Sequence, residues 1–385
     1  MHLNRLHQII HHFRQVALLA GPLLAILVYC LVPEQAAGLN GAEIALGTAG
    51  RATAGLAVWM AVWWLTEATS IYATALLPLA LMPLLDVSSI SETASAYAHP
   101  LIFLFLGGFI LALALEKWHL HHRFALMVLR LVGTKPATLV GGFMFVSATL
   151  SMWITNTATT LVMLPILLSI ISLLDKDAPN RKNFSLCLLL GVAYAASIGG
   201  IGTIVGTVPN MFTVSFIQNE LGMEIGFAKW MTIGLPIVLV FVPLAWWLLT
   251  RFIYPPGEEA IDRAFLDKPT EPWTTGAKLT LVIFILTAAC WICRPLMMKW
   301  PPLANLSDTG IAIISALLLF TIPVNLKRRE FLMDWATAIK IPWGVLLLFG
   351  GGLALAAAIR SSGVGELLAS QLGGLQGVHP LVMTL

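Results

Sequence analysis

Between Lys135 and Asp175 the chain runs for 39 residues without a Lys, Arg, Asp or Glu, and between Lys182 and Glu220 it does so again for 37. Soluble domains carry about 25% charged residues, so runs of this length do not face water. They restrict the chain to a bilayer, where about 20 apolar residues cross roughly 30 Å of hydrocarbon. Shorter runs repeat the signal between Arg14 and Glu34, between Arg51 and Glu67, over Ile71–Leu85 and over Pro100–Leu115. It returns over Trp230–Thr250, Leu279–Ile292, Ile311–Val324 and Ile341–Ile359. The composition agrees, with 58% hydrophobic and 11% charged residues. Four cysteines exclude a disulfide scaffold, and a net charge of +3 argues against a nucleic-acid binder. The expected class is an all-α polytopic membrane protein. The first run is too long for a secretory leader and is followed by further spans.

Lys and Arg bias in the loops sets the orientation. With a cytoplasmic N-terminus and alternating spans, 17 of the 22 Lys and Arg fall on one side. The expected location is a bacterial inner membrane, with the chain multi-pass and its N-terminus cytoplasmic. The stretch 136–174 begins and ends on the same side and is broken near its middle by Thr155-Asn156-Thr157. Parity allows either two ordinary spans or a re-entrant hairpin; the uncharged tip and short arms favour the hairpin.

A repeat is also present. Leu106-Gly107-Gly108-Phe109 resembles the segment around Phe349-Gly350-Gly351-Gly352, and setting Gly107 against Gly351 gives an offset of 244 that also places Leu120 against Val364. On the topology above the two copies run in opposite directions, the mark of an inverted-repeat secondary transporter. Expected segments are an N-terminal arm with scaffold spans (1–98), a first repeat (99–254), a cytoplasmic linker (255–276) and a second repeat (277–385). The offset puts the partner of Asn156 near position 400, so the second hairpin tip is expected beyond Leu385.

Two polar constellations interrupt the apolar runs. Ser151 through Thr160 concentrates hydroxyls and an amide where polar groups are costly unless used. Free amides at a helix start attract an anion, while hydroxyl, amide and carbonyl oxygens suit a hard cation such as Na⁺. A packing seam of small polar residues is the alternative. The second, Ser197 through Asn210, contains Gly199, Gly200, Gly202, Gly206 and Pro209. It is expected to unwind a transmembrane helix within about 184–217; close helix packing explains its glycines but not its Gly-Thr-x-Pro-Asn. Neither stretch contains a charged side chain. An anion site built there relies on dipoles, hydroxyls and a bound cation, which favours co-transport. No His/Glu metal pair, Asp dyad or Gly-x-Ser-x-Gly element supports an intramembrane enzyme.

Taken together, His99 through Ile110, Glu116-Lys117, Ser151-Met152-Trp153-Ile154-Thr155-Asn156-Thr157-Ala158-Thr159, Gly206-Thr207-x-Pro-Asn210, Trp64 through Ala68, and Ile341-Pro342-Trp343 resemble the divalent anion/sodium symporter (DASS) family over nearly the whole chain. The resemblance implies an elevator-type homodimer that moves dicarboxylates, citrate or sulfate, with Na⁺ as the coupling ion and no other cofactor. By position, it implies that Ser151, Thr155, Asn156 and Gly206 line a sodium site, and that Asn156, Thr157 and Thr207 face a substrate carboxylate. Thr155 stands where the family has Ser, Val208 where Pro is common, and Ser70 where Pro is usual. A Na⁺-independent exchanger, a sulfate or phosphate carrier of the same fold, and a non-transporting fragment lacking the second tip are the alternatives.

Overall fold

The computed structural model describes residues 2–37, 43–174, 180–258 and 272–373. The expected linker therefore falls partly outside the described residues, at 259–271, as does Gly377-Val378-His379-Pro380, the expected opening of the second hairpin. Among the described residues, six helices are long and apolar enough to cross a membrane: His12–Leu31, Ile90–Lys117, Arg181–Gly202, Phe227–Ile253, Thr275–Met297 and Trp343–Ser361. The fold is predominantly helical. The all-α expectation is modified by two short antiparallel strand pairs among the described residues, Gln35–Ala37 with Glu43–Ala45 and Pro323–Asn325 with Glu330–Phe331. The chain forms two compact units, 1–102 with 342–385, and 103–341.

In the first unit, α1 (His2–Leu31) packs along α2 (Gly47–Thr66). Pro22 has no amide, which frees the Leu18 carbonyl from its helical partner, and Trp63 Nε1 donates to that carbonyl at 3.2 Å. The expected span Ile71–Leu85 is not one helix but two, α3 (Ile71–Thr74) and α4 (Leu77–Leu84). Pro78 cannot bond back to Thr74, so the helix breaks there. Tyr97 Oη, at the end of α5 (Ile90–Tyr97), donates to the carbonyl of the buried Ala75. Ser89 and Glu92 cap α5 reciprocally in a capping box.

The second unit starts within α6 (Pro100–Lys117) and continues through α7 (Leu120–Val132), α8 (Pro136–Ser151), α9 (Asn156–Leu173) and α10 (Arg181–Gly199). After an interruption come α11 (Val208–Leu221), α12 (Phe227–Leu248), α13 (Thr275–Met297), α14 (Asp308–Thr321) and α15 (Trp335–Ala338). Its core is the face of α8 with Leu139, Val140, Phe143 and Met144, closed by Met163 and Leu167 of α9 and by Phe184, Leu188 and Val192 of α10. Within lipid such helices gain little from hydrophobic transfer and associate through close packing of small residues. Lys117 Nζ pairs with Asp334 at 2.7 Å, and this hydrogen bond holds the Asp334 carboxyl below the usual carboxylate range.

The two glycine-pair helices make matching contacts. In the second unit, Gly107 of α6 lies against the backbone of Ala312 in α14, where an added Cβ would fall 2.7 Å from the carbonyl. In the first, Gly351 of α16 (Trp343–Ser361) lies against the backbone of Ala75, between α3 and α4. Gly108 meets only the Val205 side chain, 3.5 Å from where a methyl group would sit. Gly107→Ala is accordingly expected to lower the thermal midpoint of the detergent-solubilised protein, at a cost of about 1–3 kcal/mol. Gly108→Ala is expected to leave the midpoint unchanged; equal midpoints for the two variants would contradict the packing.

Candidate functional site

The site is built where α8 ends, α9 begins and α10 is interrupted. Thr155 N-caps α9, its Oγ1 accepting the Ala158 amide at 3.3 Å. The first amides of a helix lack intrahelical acceptors, so α9 presents its start at the tip Met152–Thr155. Across from it, α10 ends at Gly199 and two 3₁₀ turns follow, Gly200–Gly202 and Ile204–Gly206. Thr203 between them and Thr207 after them are extended, with φ/ψ of −133/162° and −151/150°. Helical geometry resumes at Val208, with Pro209 in the first turn, where its missing amide costs no bond.

Side chains hold this irregular backbone in place. Asn210 Nδ2 donates to the Gly200 and Thr203 carbonyls, each at 2.8 Å. Thr203 Oγ1 donates to the Met152 carbonyl, which ties the interruption to the hairpin tip. Trp230 Nε1 of α12 donates to the Ile201 carbonyl at 2.9 Å. Buried backbone groups freed from a helix need such partners, and these four bonds supply them.

Of the residues singled out in the sequence, the structure brings Ser151, Asn156 and Gly206 together. Ser151 is buried, and its hydroxyl donates to Asn156 Oδ1 at 2.7 Å. The Asn156 amide group lies over Gly200, whose missing side chain leaves room for it. Gly206 abuts the Ser151 and Gly200 carbonyls, with a Cβ position 2.9 Å from the former. Ser151 Oγ and O, Asn156 Oδ1 and Gly200 O thus form an oxygen cluster free of charged side chains, of a kind that suits a hard monovalent cation. Thr155 adjoins the cluster, with its hydroxyl committed to the cap. Thr157, exposed in the first turn of α9, and Thr207, half-buried at the N-cap of α11, stand apart from it and border the starts of two helices.

Gly200, Thr203 and Asn210 complete the arrangement. The Gly-Thr-x-Pro-Asn run points to the segment, but the two carbonyls that Asn210 braces follow only from the path of the chain. Outside the site, the imidazoles of His119, His121 and His122 lie 4.5–6.2 Å apart. Burial, then the neighbouring His122 and His119, push the His121 pKa down to about 4, so this side chain is neutral. Glu67, at the end of α2 with φ +47°, pairs with Arg14 at 2.5 Å on an exposed surface, a contact worth at most about 1 kcal/mol.

Residues 61–385 match the family model described as citrate transporter. The chain is 37% identical to the sodium-dependent dicarboxylate transporter SdcS of Staphylococcus aureus strains USA300, MSSA476 and N315. In each case the similarity covers 96% of this chain and 72% of the relative.

Proposed function

This chain belongs to the citrate transporter family and is a DASS-type membrane transporter rather than an enzyme, and from that premise we propose that it moves small dicarboxylates by Na⁺ symport. The observation that carries the proposal is the cluster of Ser151 Oγ, Asn156 Oδ1 and the Ser151 and Gly200 carbonyls beside the starts of α9 and α11. Oxygen donors without a net charge hold Na⁺. The bound ion, with the amides of two helix N-termini, then supplies the positive potential that an anionic substrate requires where no Arg or Lys is present.

Ser151, Thr155, Asn156 and Gly206 are the proposed sodium-site residues, and Asn156, Thr157 and Thr207 the proposed carboxylate contacts. Na⁺ binding first makes dicarboxylate binding favourable, which couples the two fluxes. The hairpin 136–174 is read as re-entrant and the interruption 200–207 as lying at membrane depth. Irregular backbone is tolerated there only where protein or a watery cavity satisfies it, and the bonds from Asn210, Thr203 and Trp230 support that placement. The glycine pairs of α6 and α16, related by an offset of 244, support an inverted repeat (99–254 and 277–385, joined by 255–276, after scaffold spans within 1–98). Family membership supports an elevator mechanism, a homodimer and citrate among the substrates. The Lys and Arg bias supports a cytoplasmic N-terminus, and a bacterial inner membrane is the proposed location.

The test is uptake of labelled succinate into proteoliposomes that differ only in the external cation. An inward Na⁺ gradient is expected to drive accumulation that K⁺ or choline does not. Counterflow of succinate without Na⁺ would instead assign exchange, and labelled sulfate in place of succinate tests the inorganic-anion reading.

A further inference from the structure

We infer that Asp308, together with Trp291, is a positioning element for the hairpin tip, setting how tightly the tip oxygens hold their cation; this rests on the reading of Ser151 and Asn156 as the Na⁺ site. The tip residue Trp153 projects into an aromatic group drawn from two later helices. Its ring is stacked on Phe227 of α12 (centroids 5.9 Å, planes 23° apart) and on Trp291 of α13 (6.3 Å, 11°), and Phe284 of α13 meets it edge-on at 4.9 Å. Phe227 and Trp291 stack on each other at 4.5 Å and 15°, both almost wholly buried.

Apolar contact alone does not set this stack. Asp308, the first residue of α14, binds both rings' segments: its Oδ2 accepts the Phe227 amide at 2.8 Å, and its carbonyl accepts Trp291 Nε1 at 2.9 Å. Arg294 Nε lies 3.1 Å from Asp308 Oδ1, and Arg294 Nη2 lies 2.8 Å from Glu224. One buried carboxylate therefore fixes the start of α12 against the last turns of α13. Apolar packing of the same volume commonly serves stability as well as a buried ion pair does, whereas it does not set the angle between two rings. Trp153 lies two residues from Ser151 and two from Thr155. Its neighbour Met152 is tied by its carbonyl to Thr203, so a tilt of the Trp153 ring moves the backbone that presents the oxygen cluster.

Equilibrium binding of ²²Na⁺ to the purified full chain tests this. Trp291→Leu and Asp308→Asn are expected to weaken Na⁺ binding about tenfold, within the range of coupling between residues in contact. Trp291→Phe, which keeps an aromatic face, is expected to stay within about twofold. In a Trp153→Leu background, Trp291→Leu is expected to add no further loss, because its effect passes through the Trp153 ring. A merely structural role would reduce the amount of folded protein, measured by gel filtration, without moving the dissociation constant of what remains. Unchanged dissociation constants in Trp291→Leu and Asp308→Asn, or losses that add in the double variant, overturn the inference. Wild-type chain without saturable Na⁺ binding overturns the site and the inference together, and this is seen before any variant is made.

Discussion

Asn156→Ala is expected to reduce Na⁺-driven succinate uptake in proteoliposomes about a hundredfold or more, equivalent to about 2.8 kcal/mol. Three losses combine at this position. The Ser151 hydroxyl loses the Oδ1 acceptor that now lies 2.7 Å away, and a buried polar group without its partner costs about 1–3 kcal/mol. The space over Gly200 that the amide fills becomes empty. The cation loses one of its few oxygen donors, in a place where no charged side chain can compensate. Asn156→Asp separates the two roles of the residue. It keeps an oxygen in the Oδ1 position and adds a negative charge at the start of α9, which favours Na⁺ and disfavours a dianion. Retained Na⁺ binding with failed uptake is the expected outcome. Thr160→Ala removes only a hydroxyl that bonds back to the Asn156 carbonyl within the helix, and uptake is expected to stay within about twofold of wild type, as for other local bonds of this kind. Asn156→Ala protein with more than half of wild-type uptake would remove Asn156 from the site.

Gly206→Ala is expected to abolish the stabilisation that Na⁺ confers on the protein. A ligand that binds the folded state at a hundred times its dissociation constant contributes about 2.7 kcal/mol, so wild-type chain in Na⁺ is expected to unfold at a higher temperature than in choline. In the variant, the new methyl group meets the Gly200 and Ser151 carbonyls. Neither carbonyl can yield cheaply. Gly200 O is held by Asn210 Nδ2, and Ser151 ends the helix that supplies the core of the second unit. The intrinsic cost is about 1–3 kcal/mol by analogy with other overpacked sites, and the displaced carbonyls are the ones expected to face the ion. Thermal unfolding of both proteins in Na⁺ and in choline measures the two effects separately. Equal Na⁺-dependent shifts in wild type and Gly206→Ala would place the cation elsewhere.

Much of the site is legible as chemistry before it is legible as geometry. Thr155-Asn156-Thr157 reads as a break in the run 136–174 because polar groups interrupt it, and in the structure α8 gives way to α9 there, with Thr155 as the cap. The glycines between Gly199 and Gly206, with Pro209, read as a break because they weaken helix and remove an amide, and the helix is interrupted between Gly199 and Val208. The break between α3 and α4 is not legible in the same way, since the run Ile71–Leu85 carries no charge and its two prolines, Pro78 and Pro83, do not by themselves separate a broken span from an intact one. The roles of Trp153, Phe227, Trp291 and Asp308 are also not visible in the sequence. Each is unremarkable within its own segment, and they meet only because helices far apart in the chain pack together.

The amino-acid sequence alone determined the solvent, the predominantly helical class and two departures from a helix, at Thr155-Asn156-Thr157 and between Gly199 and Val208. These follow from local costs: a charge in hydrocarbon, a proline without an amide, a polar cluster in an apolar run. Tertiary structure decided which oxygens converge. The helices α8, α9 and α10 are apolar on nearly all sides, so their periodicity does not say which face meets which neighbour. Only the crossing of α8 and α10, where Gly199 lies against the backbone of Ala148, brings Gly200 and Gly206 to Ser151 and Asn156.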